Sequence, residues 1–339
     1  MMDTVVSIKI FLPDRAGEPQ ALAAIDTAFA KLAQLDSMMS SYREDSEVAA
    51  INNFARDAVA RADHMAFPIS IDLDSVLSVA QYVSSSTKGA FDITIAPVMR
   101  LWGFGAEALG VPAAKQINSC LPLVNFRHLK LQRNSATRPH TSRDSSKQNI
   151  AMISFEQPGM AIDLGGIAKG YAADVAERML AQRGYADVLI AAGGDLRMSA
   201  SALTAGQRYI WIKHPRRPET FFARFRLDRG GVSTSGDYER FFEKEGKRYH
   251  HILDPQTGFP AGQNEAGSQT VSATVVANKT IFSDGFSTAI FVLGPERGLE
   301  LAERLPDLEA VIVFLANGKL EWRATSGLRG KLEIIDAEI

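Results

Sequence analysis

Apolar and polar residues alternate over residues 4–12, several of them β-branched, which predicts a strand ended by Pro13-Asp14. From Pro19 to about Met39, the residues Leu22, Ile25, Phe29, Leu32 and Leu35 recur at three- and four-residue steps. That spacing predicts an amphipathic helix with Pro19 in its first turn. A second helix is predicted over residues 73–87, with Leu73, Val76, Leu77, Ala80 and Val83 on one face and Gly89 beyond its end. Residues 121–131 and 151–155 read as short strands. Between them, residues 134–149 are rich in Ser, Arg, Thr and Asn and carry no apolar period, so they read as an exposed, mobile surface loop.

In the second half, strands are predicted at residues 160–164, 188–192, 208–213, 272–276 and 310–314. Helices are predicted at 168–183, closed by Gly184, and at 281–292 and 296–305. Strands arrive in clusters and not in strict strand–helix alternation, which points to an α+β fold and away from a doubly wound parallel sheet. No repeat occurs at solenoid periods.

Composition narrows the function classes. A formal net charge of −2 and a pI near 6.3 supply no basic field for nucleic acid or anionic lipid. The single cysteine, Cys120, excludes an intrachain disulfide framework, a cysteine-cluster zinc site and an iron–sulfur cluster. No apolar run reaches the roughly 18 residues of a membrane span. Residues 1–10 lack a basic n-region and a long apolar h-region, so the sequence as given is expected in the cytoplasm, or in the periplasm if an export segment precedes it.

Several short segments carry chemistry. In Ala161-Ile162-Asp163-Leu164-Gly165-Gly166-Ile167-Ala168-Lys169-Gly170, a predicted buried strand ends in a carboxylate, two glycines follow, and a helix begins. Amide groups at a helix start favour a phosphate, and Lys169 lies one turn in; a plain glycine turn with a solvated lysine fits the same residues. Gly193-Gly194-Asp195 repeats the strand–Gly-Gly–acid pattern, for which a tight turn suffices. Asp284 and Thr288 are four apart on a predicted helix, so two hard oxygens share a face suited to Mg²⁺; an ordinary helix start accounts for them equally. His250-His251 precede Asp254-Pro255, and adjacent strand positions point to opposite faces, so one of the two reaches any given site. No P-loop or dinucleotide fingerprint occurs.

Taken in order, these segments resemble the ApbE family of flavin transferases. The resemblance rests on Ser41–Glu47, Gly89-Ala90-Phe91-Asp92, Leu101-Trp102-Gly103-Phe104-Gly105, the 163–170 segment, Gly193–Arg197 and Thr234–Phe241. It continues through His250–Gly258 and the Asp284…Thr288 helix before Phe291-Val292-Leu293-Gly294, so it spans nearly the whole chain. The resemblance implies a single α+β domain over residues 1–339, built as two intertwined lobes with an FAD cleft. It also implies a reaction, the transfer of FMN from FAD to a Thr or Ser hydroxyl of an acceptor flavoprotein, with AMP released. FAD pyrophosphatase activity and non-catalytic FAD binding are the alternatives.

Carried onto this sequence, the family pattern places Met2, Tyr42, Ala90, Phe91, Asp92, Asp163, Lys169 and Ile252 against FAD. Mg²⁺ would be held by Asp284, Thr288 and the carbonyl of Gly166. The base that takes the acceptor's proton would be His251, with Asp163 as the competing candidate. Two departures stand out: Asp3 replaces the glycine usual after Met2, and Gly285 sits inside the metal helix, where it costs about 1 kcal/mol relative to Ala.

Overall fold

A computed structural model describes residues 4–57, 66–104, 109–133, 151–202, 204–262 and 267–336. Met2, Gly105 and the predicted loop 134–149 lie outside the described residues.

Along the chain come β1 (Val6–Ile10), α1 (Glu18–Met39), α2 (Glu47–Asp57), β2 (Phe67–Ile69), α3 (Ile71–Ser86), α4 (Ala96–Trp102), α5 (Ala114–Cys120), β3 (Leu129–Arg133) and β4 (Ala151–Phe155). The series continues with α6 (Ala168–Gln182), β5 (Val188–Ala192), β6 (Asp195–Ser199), β7 (Tyr209–His214), β8 (Arg217–Arg226) and β9 (Arg229–Gly236). Then follow β10 (Phe241–Lys244), β11 (Lys247–His250), β12 (Gln269–Ala277), α7 (Thr280–Arg304), β13 (Leu308–Ala316), β14 (Lys319–Ala324), α8 (Ser326–Arg329) and β15 (Glu333–Ile334). Mixed helices and antiparallel sheets make this an α+β fold, as the clustering of strands predicts. Among the described residues, no helix is long and apolar enough to cross a membrane.

The chain divides into two compact units, one formed by Met1–Asp36 with Gly165–Ile339 and the other by Ser37–Leu164. The first is built on a seven-stranded antiparallel sheet in the order β1-β5-β6-β9-β12-β13-β14. On one face, Met198, Val232, Val311 and Val313 pack with Ile210, Ile212, Phe222 and Phe225 of the smaller β15-β8-β7 sheet. Helices α6 and α7 pack on the main sheet as well, α7 against β9, β12 and β13 and α6 against β5 and β6. Cover on both faces explains why β13 reads as a near-continuous apolar run and not as an alternation. Helix α7 is broken at Gly294, whose φ of 79° and the following Pro295 divide it where two predicted helices meet.

The second unit holds α2 to α5 and a three-stranded sheet ordered β2-β4-β3. The apolar face predicted for α3 is buried, and Ser70 caps that helix by accepting from the Leu73 amide at 3.3 Å. Two sequence expectations are corrected in this unit. Residues 160–164 join no sheet; the side chain of Asn52 in α2 stands where a partner strand would. Its Nδ2 donates to the Ile162 carbonyl at 3.0 Å, and its Oδ1 accepts from the Ile162 amide at 2.7 Å. Of residues 121–131, only Leu129–Arg133 is a strand; the rest winds into 3₁₀ turns at Leu121–Leu123 and Phe126–His128. Pro122 sits in the first turn, and Asn125 caps the second by accepting from the Arg127 amide at 3.1 Å.

Candidate active site

The first unit gathers charge around the start of α6. The Lys169 ammonium donates to the Gly165 carbonyl at 2.9 Å and lies 3.3 Å from Asp195 Oδ2 and 3.8 Å from Asp284 Oδ1. Asp195 enters from the first position of β6 and Asp284 from the second turn of α7, so three separate elements converge on one amine. Both carboxylates are buried. Burial, and then the charge of Asp195, push the Asp284 carboxyl well above the usual carboxylate range, with Lys169 only partly offsetting them. For Lys169, burial pulls the pKa down, but Asp284 and Asp195 outweigh it and hold the amine charged.

Not every amide at the start of α6 is open to an anion. The Gly170 N–H donates to Asp284 Oδ2 at 2.8 Å, locking α6 to α7. A Cβ on Gly170 would lie 2.4 Å from the Thr280 carbonyl oxygen, so this glycine serves close helix approach. Asp174, on the same helix, accepts from the Thr280 and Ile281 amides at 2.9 and 3.0 Å and caps the helix that carries Asp284.

Thr288 follows Asp284 by one turn, as the spacing predicts. Its hydroxyl joins a seam between β9 and α7, with Ser235 Oγ 3.4 Å from Thr288 Oγ1 and 2.9 Å from Ser287 Oγ. Ser287 in turn donates to the Asp284 carbonyl at 2.9 Å. Gly166 is half-buried beside the Gly165 carbonyl that Lys169 engages.

The histidine pair divides as its position predicts. His250, the last residue of β11, is buried edge-on against Phe291, its ring centroid 5.4 Å away. His251 turns elsewhere: its backbone amide and Nδ1 both meet the Arg240 carbonyl, at 3.0 and 3.2 Å. A carbonyl only accepts, so Nδ1 carries the proton and Nε2 is the basic nitrogen. Burial pulls both rings down to about 4, which keeps them neutral at pH 7. Ile252 is buried next to this turn.

In the second unit, the predicted nucleotide contacts lie mostly in packed turns. Ala90 and Phe91 are buried after Gly89. Asp92 is spoken for: Oδ1 accepts from the Thr94 amide and hydroxyl at 2.8 and 2.7 Å, and Oδ2 from the Phe126 amide at 2.8 Å. Asp163 Oδ2 accepts from Ser41 Oγ at 2.6 Å. Tyr42 is 49% exposed, and its hydroxyl donates to the Phe104 carbonyl at 3.3 Å. Its ring is thus positioned by its tip and stays about half exposed.

Among the described residues there is no cluster of three or more His, Cys, Asp or Glu suited to a metal. A set of one carboxylate, one hydroxyl and one carbonyl is not of that kind, and its donors are all hard oxygens, the chemistry Mg²⁺ takes. The charges agree with that assignment. Two buried carboxylates share a single ammonium, which leaves the cluster short of positive charge. The residues present therefore fit the ion. Asp195 and Asp174 went unassigned at the sequence level; the second Gly-Gly-acid motif was the signal for Asp195.

The ApbE family model matches residues 2–312. The FAD:protein FMN transferase of Treponema pallidum (strain Nichols) is 30% identical over 349 residues, covering 99% of this chain and 88% of that protein. The Escherichia coli (strain K12) protein of the same name is 30% identical, covering 79% and 70%. Among solved structures, the ApbE protein of Thermotoga maritima superimposes with a TM-score of 0.76 at 27% identity, over 97% and 96% of the two chains. The flavin transferase ApbE of Vibrio cholerae gives 0.75 at 26% identity, over the same shares.

Proposed function

This chain belongs to the ApbE family, and from that premise we propose that it transfers FMN from FAD to a Thr or Ser hydroxyl of an acceptor protein, with Mg²⁺. The observation that carries this reading is the Lys169 ammonium set between buried Asp195 and Asp284, one helical turn from the Thr288 hydroxyl. Ammonium and hard oxygens together suit a pyrophosphate and its counter-ion.

Asp284, Thr288 and the Gly166 carbonyl would hold Mg²⁺. When bound, the ion supplies charge neutralisation on the pyrophosphate. Lys169 adds a second positive charge at the same phosphates, which grows in value as the bridging oxygen of the AMP leaving group gains charge. The acceptor Oγ forms a bond to the FMN phosphorus as the bond from that phosphorus to the AMP oxygen breaks. The hydroxyl proton passes to His251 Nε2, whose orientation is set by the Nδ1 hydrogen bond to Arg240. The neutral state of His251 leaves it able to accept that proton at pH 7, and an anionic substrate nearby raises its basicity.

The test is the intact mass of a small acceptor bearing a Ser/Thr-Gly-Ala-Ser/Thr motif, incubated with this protein, FAD and Mg²⁺. A gain of one FMN, abolished by EDTA, is expected. Accumulation of free FMN and AMP without mass gain would replace the transferase with a pyrophosphatase. Intact FAD and unmodified acceptor would leave a flavin-binding protein.

A further inference from the structure

Asp195 has no place in the reaction as described, yet it makes the shorter of the two carboxylate contacts to Lys169, 3.3 Å against 3.8 Å for Asp284. It is only 3% exposed and is fixed at the start of β6, paired with Ala192 on one side and Ser233 on the other. A buried carboxylate so rigidly placed cannot follow a moving partner; it defines where the partner rests. The opposite holds for the demand on Asp284. A divalent ion at Asp284 must take the oxygen that faces the Lys169 ammonium, and two cations repel strongly at such separations in a buried site. The amine then needs another anion within reach of its present position, or it competes with the metal for Asp284.

We propose that Asp195 is the positioning residue that seats the Lys169 ammonium when Asp284 takes up the divalent cation. The proposal rests on the metal assignment above and deepens it. With Asp195 present, the amine moves a fraction of its reach toward Oδ2 and keeps its Gly165 hydrogen bond, so its charge stays beside the metal without sharing its ligand. Without Asp195, Asp284 is the remaining carboxylate of the pair, and ammonium and metal exclude one another. Lys169 is thereby changed from a competitor of the metal into its companion.

The effect is a coupling between three side chains, and a double-mutant cycle read by metal binding isolates it. Mg²⁺, alone and with ADP as a diphosphate probe, is titrated calorimetrically into the parent, Asp195→Asn, Lys169→Met and the double variant. Asp195→Asn is expected to weaken Mg²⁺ binding by about 30-fold in the parent background, since it both removes a charge and frees the amine to compete. In the Lys169→Met background the same substitution is expected to cost only about threefold, the share due to charge alone. Asp195→Ser gives a second removal of the seat, and thermal melts without metal establish that each variant is folded. Equal losses in the two backgrounds would reduce Asp195 to a plain negative charge and overturn the proposal. Unchanged binding in Asp195→Asn would overturn it as well. A parent that takes up no Mg²⁺, with or without ADP, would sink the metal assignment itself, which is a separate failure.

Discussion

The motif residues of the two units are used in opposite ways. In Ser37–Leu164 the polar side chains are consumed by folding. Asp92 holds three donors, Asn52 bonds both backbone groups of Ile162, and Ser41 binds Asp163. In Gly165–Ile339 the polar side chains around Lys169 remain in electrostatic tension, with two carboxylates and one ammonium out of balance. A satisfied polar network rigidifies a turn, whereas an unbalanced one invites a ligand charge. The same sequence signal, an acid in a short motif, is thus a satisfied acceptor in one unit and part of a buried charge cluster in the other.

Breaking the tension should hit activity hardest. Asp284→Ala is expected to lower FMN transfer by about 10³-fold with only a small change in melting temperature, because relief of a buried carboxylate offsets the Gly170 amide that it orphans. Stopped assays and thermal melts decide it, and a large loss of stability would place Asp284 with the scaffold residues.

Gly170→Ala tests the helix contact beneath that site. The added Cβ meets the Thr280 carbonyl at 2.4 Å and Asp284 Cβ at 2.7 Å. Overpacking of this kind costs about 3 kcal/mol, more than the roughly 1 kcal/mol of helix propensity that alanine returns. Urea unfolding should register the difference, and a variant as stable as the parent would mean α6 and α7 part easily.

A pH series sharpens the picture near the histidines. Burial holds His250 at about 4 in the native state against an ordinary value near 6.5, so the unfolded chain binds a proton the native state refuses. Its contribution is complete above pH 6.5 and is lost as the pH falls toward 4, on the order of 3 kcal/mol in all. His250→Gln should make that acid limb shallower in urea titrations, with His251 supplying the remainder; an unchanged limb would assign the effect to other groups.

The smallest effect is expected from Asp92→Ala. It orphans the amides of Thr94 and Phe126 and should cost about 2 kcal/mol of stability. Transfer by the folded fraction should stay near the parent rate. A rate loss that exceeds the stability loss would move Asp92 from scaffold to site.

How far these roles were legible depended on whether the cause was local. The α3 stripe, the extent of β4 and β5, and the break at Gly294 follow from apolar period and from Gly-Pro chemistry, and they lie where the pattern predicts. Helix α2 is absent from the sequence reading although Val48, Ile51 and Ala55 keep helical spacing, because the polar run before it hides the stripe. Residues 160–164 misled for a different reason: an apolar extended run looks alike whether a strand or the side chain of Asn52 satisfies it.

The site shows the same division. By itself the sequence determined which residues carry oxygen, amine and imidazole, and that Asp284 and Thr288 share a helical face, because one turn of helix is a local rule. It also determined that His250 and His251 part company, from the alternation of a strand. Only the tertiary structure decided that Asp195, 26 residues beyond Lys169, shares its ammonium with Asp284, and that Asp92 is spent on backbone amides. Those outcomes depend on burial and on which distant donors arrive within about 3 Å, and charge interactions there are set by the surroundings and not by spacing along the chain.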